Sequence, residues 1–126
     1  MRHWADQYVG TPYVEYDCAD LCVQVQQAQF NKAIGLPASR PNGLRGVSDM
    51  IETLQDDFAT PTVVPVEGDA VQMIGRGRLN HIGIFCTINN EPHVLHAMKN
   101  AGMTVLHKIV ALKDIGLIVE GYYKWK

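Results

Sequence analysis

A chain of 126 residues, 47% of them apolar, is long enough to bury one hydrophobic core, which points to a single domain over residues 1–126. A formal net charge of −2, with Arg40, Arg45, Arg76 and Arg78 scattered through loop-like sequence, excludes the clustered basic face that a nucleic-acid partner requires. Three cysteines do not make a disulfide framework, and no apolar run approaches membrane-spanning length.

His3 to Val9 reads as a short helix stopped by Gly10. Thr11-Pro12-Tyr13-Val14-Glu15-Tyr16 is extended, because the ring of Pro12 pushes Thr11 out of the helical region. Asp17 then stands where an N-cap belongs. Leu21, Cys22, Val25 and Ala28 recur at helical spacing, so a helix is expected from about Cys18 to Ala33, ending at Gly35 with Pro37 beyond. Cys18 and Cys22 lie one helical turn apart, a spacing that strains a disulfide, and all three cysteines read as thiols.

Ala38 to Gly46 is rich in loop formers, and Ser48 is placed to cap a second helix over Asp49 to Phe58. From Pro61 the texture changes. Val63–Val66, Ala70–Ile74, His81–Ile88, His93–Met98, Thr104–Ile109 and Ile118–Trp125 are apolar or alternating runs with the character of strands. Turn signals separate them at Glu67-Gly68-Asp69, Gly75-Arg76-Gly77, Asn89-Asn90 and Asn100-Ala101-Gly102. Helices first and strands after predict an α+β fold, one layer of helix on a mostly antiparallel sheet.

The chemistry concentrates at Asp17-Cys18-Ala19-Asp20. A cysteine in the first turn of a long helix feels the positive end of the helix dipole, and a neighbouring imidazolium lowers a thiol's pKa further. Such a thiol becomes a nucleophile once a histidine arrives from elsewhere in the fold. His81 begins one apolar strand and His96 lies on the next, so an antiparallel pairing makes them neighbours. His96 then holds one ring nitrogen of His81 and aims the other at Cys18, giving nucleophile, base and orienting group. Gly83 leaves room for a close approach. His93 is a spare for the orienting position, while His3 and His107 read as surface or satisfied core residues, and Cys22 and Cys86 as small core hydrophobes. A zinc site of Cys18, Cys22, His81 and His96 fits no common ligand spacing, so no metal or other cofactor is expected.

Tyr8-Val9-Gly10-Thr11-Pro12-Tyr13 followed by Asp17-Cys18, then Glu67-Gly68-Asp69-Ala70-Val71, Asn80-His81-Ile82-Gly83-Ile84-Phe85 and Val94-Leu95-His96-Ala97 resembles the NlpC/p60 family of cysteine peptidases. The blocks stand in the family's order and span most of the chain, and Gly121-Tyr122-Tyr123 is similar to its closing strand. The resemblance implies a papain-like fold and cleavage of an amide bond in the peptides of bacterial peptidoglycan. It implies Cys18 as nucleophile, His81 as base and His96 as the third member, with Tyr13 and Asp17 on the substrate side. Two features depart from the family. Val14, Glu15 and Tyr16 stand where two glycines are frequent, and Ala19-Asp20 follows the cysteine where Ser-Gly is usual.

The opening residues carry no apolar export signal, so the chain is expected to be made in the cytoplasm. It is in this respect similar to the compact peptidases of phage tails and to the amidase effectors injected by type VI secretion machines. The effector reading, the one favoured, brings with it an immunity protein that plugs the Cys18 cleft. Acyl transfer or thioester hydrolysis on the same scaffold, and a non-catalytic binding module, are the competing uses.

Overall fold

The computed structural model describes residues 3–13, 17–34, 59–75, 78–98 (backbone alone over 78–80) and 101–126. The expected loop at 38–46 and helix over 49–58 lie outside the described residues, as do Arg40, Arg45 and Arg76.

Trp4–Tyr8 forms a 3-10 helix, shorter and tighter than the expected helix over 3–9. His3 caps it through Nδ1, which accepts from the Ala5 N–H at 3.0 Å. Gly10 follows with φ +92°. The extended segment after it docks on the strand Met103–Lys108, with the Gly10 N–H donating to Thr104 O and the Thr104 N–H to Thr11 O, both at 2.9 Å. The Tyr13 N–H donates to Gly102 O at 2.9 Å.

The first α-helix, α1, spans Cys18–Phe30. Asp17 caps it with one carboxylate oxygen that accepts from the Ala19 and Asp20 N–H groups at 3.0 and 2.9 Å. The Asp17 N–H donates back to the Asp20 carboxylate, which completes a capping box. The helix stops at Phe30, short of the expected Ala33. Asn31 takes a left-handed conformation (φ 50°, ψ 41°) and donates its N–H to Gln26 O, so an asparagine does the work expected of Gly35.

Six strands follow: β1 (Ala59–Thr62), β2 (Ala70–Gly75), β3 (Arg78–Ile88), β4 (Glu91–Met98), β5 (Met103–Lys108) and β6 (Leu117–Trp125). They form one sheet in the order β1-β6-β2-β3-β4-β5, with every neighbouring pair antiparallel. The chain is thus α+β. Two expectations for this half need correction. Val63–Val66 is not a strand. The strand lies just before it, at Ala59–Thr62, while Val63 is 95% exposed in a bend. Apolar character alone suggested a strand there, but Pro65 has no N–H for a ladder. β5 also ends at Lys108, and Ile109–Ile115 turns into a 3-10 helix.

That 3-10 helix changes the layering. Leu21, Cys22 and Val25 of α1 pack with Ile82, Ile84, Cys86, Leu95 and Ala97 on one face of the sheet. On the other face Leu112 and Ile109 pack with Val71, Met73, Phe85 and Val94. Both faces are therefore covered, where one helical layer was expected.

The turn Glu67-Gly68-Asp69 fastens these layers together. Gly68 has φ +92°, and a Cβ there would lie 2.8 Å from the ring of Phe30. Gly10 has the same φ with nothing within 4 Å. Gly68→Ala is expected to lower the unfolding free energy by about 2–4 kcal/mol, backbone strain and overpacking together. Gly10→Ala should cost only the backbone part, about 1 kcal/mol. Urea denaturation of both variants checks this, and equal losses would mean that Phe30 yields without cost.

Candidate active site

Cys18 is the first residue of α1 and 3% exposed. Earlier in the chain, Gly10 and Thr11 bond to Thr104 of β5 and Tyr13 to Gly102 just before it. Tyr13 is half-buried and packs against the cluster that holds Cys18. The Asp17 carboxylate spends one oxygen on the helix cap.

The histidines come from the sheet. His81 lies on β3 immediately after an irregularity in its pairing with β2, where Met73 faces His81 but Ile74 faces Leu79. Asn80 is the extra residue, the signature of a bulge that re-aims the side chains beyond it. His96 lies on β4, and its Nδ1 is 2.7 Å from His81 Nε2. His107, on β5, continues the row: its Nδ1 is 2.9 Å from His96 Nε2. The three imidazoles form one hydrogen-bonded chain through facing ring nitrogens.

The strand register explains the row. Val105 of β5 faces His96 and His107 faces Val94, so His107 is the diagonal neighbour of His96 on the same face. Gly83 makes the approach of β3 to β4 possible. A Cβ on it would lie 2.5 Å from Val94 Cγ2 and 3.1 Å from His96 Cβ. His107 had read as a surface or core residue. The signal that finds it is hairpin register about Asn100-Ala101-Gly102, which needs the first cross-strand pair to be known.

His93 does not serve as the third member. It faces Cys86 across the ladder, on the α1 side of the sheet, and its Nδ1 engages Glu91 O at 2.9 Å. His3 caps the first helix and meets Glu67. Cys22 and Cys86 are fully buried. Burial first, then Glu67 and Asp6, push the Cys86 thiol up to about 12, which makes it chemically inert. The side chain of Arg78 lies outside the described residues. Among the described residues no group of three or more His, Cys, Asp or Glu side chains is placed to hold a metal ion.

Along β3, Ile82, Ile84 and Cys86 belong to the α1 cluster, whereas Phe85 belongs to the opposite one. By the two-residue period of a strand, His81 and Gly83 share the face of Phe85. The imidazole chain therefore runs on the face turned away from the flank of α1. A thiol–imidazole pair requires approach at the first turn of the helix, around the beginning of β3, rather than across the helix flank.

Burial lowers His81 to about 4. Burial, and then its neighbours His81 and His107, lower His96 to about 2, and burial lowers His107. His81 and His96 are accordingly neutral at pH 7. A neutral His81 is a proton acceptor, so the resting state it favours is thiol and imidazole rather than a preformed ion pair.

No family model, curated protein or solved structure matches the chain.

The lowered values have a sign in stability. An unfolded histidine takes up a proton as pH falls through about 6.5, while the native His96 does not. The unfolded state then binds more protons, so stability present above pH 6.5 is lost as the pH falls towards the folded values. For the fully buried His96 the loss between pH 6.5 and 5 is about 2 kcal/mol, at about 1.4 kcal/mol per pH unit. Urea midpoints at pH 7 and pH 5 should show a smaller acid-induced drop in His96→Gln than in the wild type. An identical drop would show that His96 is not held neutral.

Proposed function

We propose that the chain is a cysteine peptidase of papain-like NlpC/p60 type that hydrolyses an amide bond in peptidoglycan peptides. The observation that carries the reading is the 2.7 Å hydrogen bond between His81 Nε2 and His96 Nδ1. It commits one ring nitrogen of His81 and leaves Nδ1 for chemistry. Support comes also from Cys18, which opens a helix capped by Asp17.

In this reading the Cys18 sulfur attacks the scissile carbonyl as His81 Nδ1 takes the thiol proton. The carbonyl oxygen gathers negative charge, which the Cys18 N–H at the helix start and the helix dipole stabilise. His81 returns the proton to the departing amine as the carbon–nitrogen bond breaks, leaving a thioester on Cys18. Water then gives up a proton to His81 and attacks the thioester, and the thiol leaves with that proton restored. His96 acts through His81 only. Tyr13 and Asp17 border the substrate, Tyr13 beside the nucleophile and Asp17 towards a substrate amine. No cofactor takes part.

Peptidoglycan lies outside the cytoplasmic membrane, so action in the periplasm or wall belongs to the reading, by injection into a rival cell or from a phage tail. An immunity protein that fills the Cys18 cleft belongs with the injected form. No helix among the described residues is long and apolar enough to cross a membrane.

The test is digestion of purified Gram-negative peptidoglycan by the wild type and Cys18→Ala, with the fragments resolved by mass spectrometry. New fragments from the wild type alone are expected, and their masses distinguish the D-glutamyl–diaminopimelate bond from the diaminopimelate–D-alanine cross-link. No new fragments from either protein would overturn the peptidase and turn attention to acyl esters as substrates. Cys18→Ala and His81→Ala should each lower kcat/KM by at least about 10⁴-fold, and His96→Ala by roughly 10²-fold, as for a residue that orients the base. Equal losses at His81 and His96 would mean that His96 itself handles the proton.

A further inference from the structure

The chain of imidazoles does not stop at His96. His96 is fully buried and uses both ring nitrogens, Nδ1 towards His81 at 2.7 Å and Nε2 towards His107 Nδ1 at 2.9 Å. His81 and His107, the two outer rings, are both half-buried, and His107 lies on the edge strand β5.

Three neutral imidazoles joined in this way have only two ordered arrangements, because each ring carries one N–H and each hydrogen bond needs one donor and one acceptor. In the first, His81 Nε2–H donates to His96 Nδ1, and His96 Nε2–H donates to His107 Nδ1. Every ring is then protonated at Nε2, and His81 Nδ1 keeps a lone pair. In the second, His107 Nδ1–H donates to His96 Nε2, and His96 Nδ1–H donates to His81 Nε2. Every ring is then protonated at Nδ1, and His81 offers no base at that nitrogen. One ring cannot reverse alone without setting two N–H groups, or two lone pairs, against each other at under 3 Å.

We infer that His107 is a remote positioning residue that sets the proton order of the row and thereby keeps Nδ1 of His81 unprotonated. His107, on the edge strand, is the less enclosed of the two outer rings, and a histidine side chain in water favours the Nε2–H tautomer. Its Nδ1 is then an acceptor, His96 must donate through Nε2, and His81 must donate to His96. The order passes along the row from His107 through His96 to His81 because the chain is continuous and His96 and His81 are neutral. His96 alone has no such preference: enclosed between two rings, it satisfies its hydrogen bonds equally well in either arrangement. This inference rests on the peptidase reading for its consequence in catalysis, but the proton order itself does not.

The test therefore reads the tautomers directly. Long-range proton–nitrogen NMR correlations on histidine-labelled protein at pH 7 give the protonated nitrogen of each ring. In the wild type His81, His96 and His107 should all carry hydrogen at Nε2. His107→Phe removes the acceptor and should release the order, so that His96 and His81 gain a substantial Nδ1–H population. His107→Asn, whose side-chain oxygen stands close to the place of Nδ1, should restore the wild-type pattern. Peptidoglycan hydrolysis should fall about tenfold in His107→Phe and stay within about twofold in His107→Asn, a split that loss of packing alone does not give.

Nδ1–H on His81 in the wild type, or wild-type tautomers in a folded His107→Phe protein, would overturn the inference. If His107→Phe fails to fold, the wild-type spectrum and His107→Asn decide the matter. A wild type with the expected tautomers but no hydrolysis would leave the proton order standing and remove the peptidase reading instead.

Discussion

The turn Glu67-Gly68-Asp69 is the joint on which the rest of the structure depends. The carbonyl of Gly68 accepts from the side-chain amide of Gln26 on α1 at 2.6 Å and from the indole N–H of Trp125 on β6 at 3.0 Å. Its N–H donates to Phe85 O, and the Phe85 N–H donates to Asp69 O, which locks the turn to β3. Glu67 accepts from the Trp4 indole at 3.1 Å and from the Thr87 N–H at 2.6 Å. Asp69 accepts from the Val66 N–H and from Lys124. The bonds to the Gly68 carbonyl are buried, and a polar group left unpaired there would cost about 1–3 kcal/mol. Pairing these groups at one turn fixes the helix, the central strands and both ends of the described chain against each other.

That joint has a consequence for the site. α1 carries Cys18 at one end and Gln26 near the other, and the anchoring of Gln26 to Gly68 holds the helix along the sheet. The other end is closed by the Asp17 capping box. A helix anchored on the sheet and capped at its start presents its first turn in an ordered form, which a nucleophile needs because a displacement of about 1 Å is costly to catalysis. The histidines are held differently, by ladder register and by one another. A row of three imidazoles centred on the buried His96 is tolerated because the facing nitrogens satisfy each other without charge, and the absent side chain at Gly83 lets two strands approach closely beside His96.

Much of the helical half was legible because its signals are local. Asp17 as cap, Cys18 in the first turn and the apolar stripe of Leu21, Cys22 and Val25 follow from backbone chemistry within a few residues. The end of α1 was misread for the same reason: Asn31 and Gly35 are both capable of a left-handed cap, and tertiary packing of the Phe30 ring on Gly68 selects the earlier. In the β half, central strands were found because burial on both faces leaves long apolar runs. The edge strand β5 was found as well, expected at Thr104–Ile109 and observed at Met103–Lys108, but the other edge strand, β1, was not. β1, with Pro61 inside it, is a strand because β6 offers it a partner, and Val63–Val66 pairs with no strand among the described residues despite its composition.

The sequence by itself determined where a thiol stands in the first turn of a capped helix and that His81 and His96 fall on strands joined by a tight turn, because both depend on local periodicity and turn chemistry. Only the tertiary structure decided that His107 extends the row, that His93 faces away, and that the row lies on the face opposite the flank of α1. Those facts depend on register between strands, where a slip of one residue exchanges the two faces, and no single segment encodes its own register.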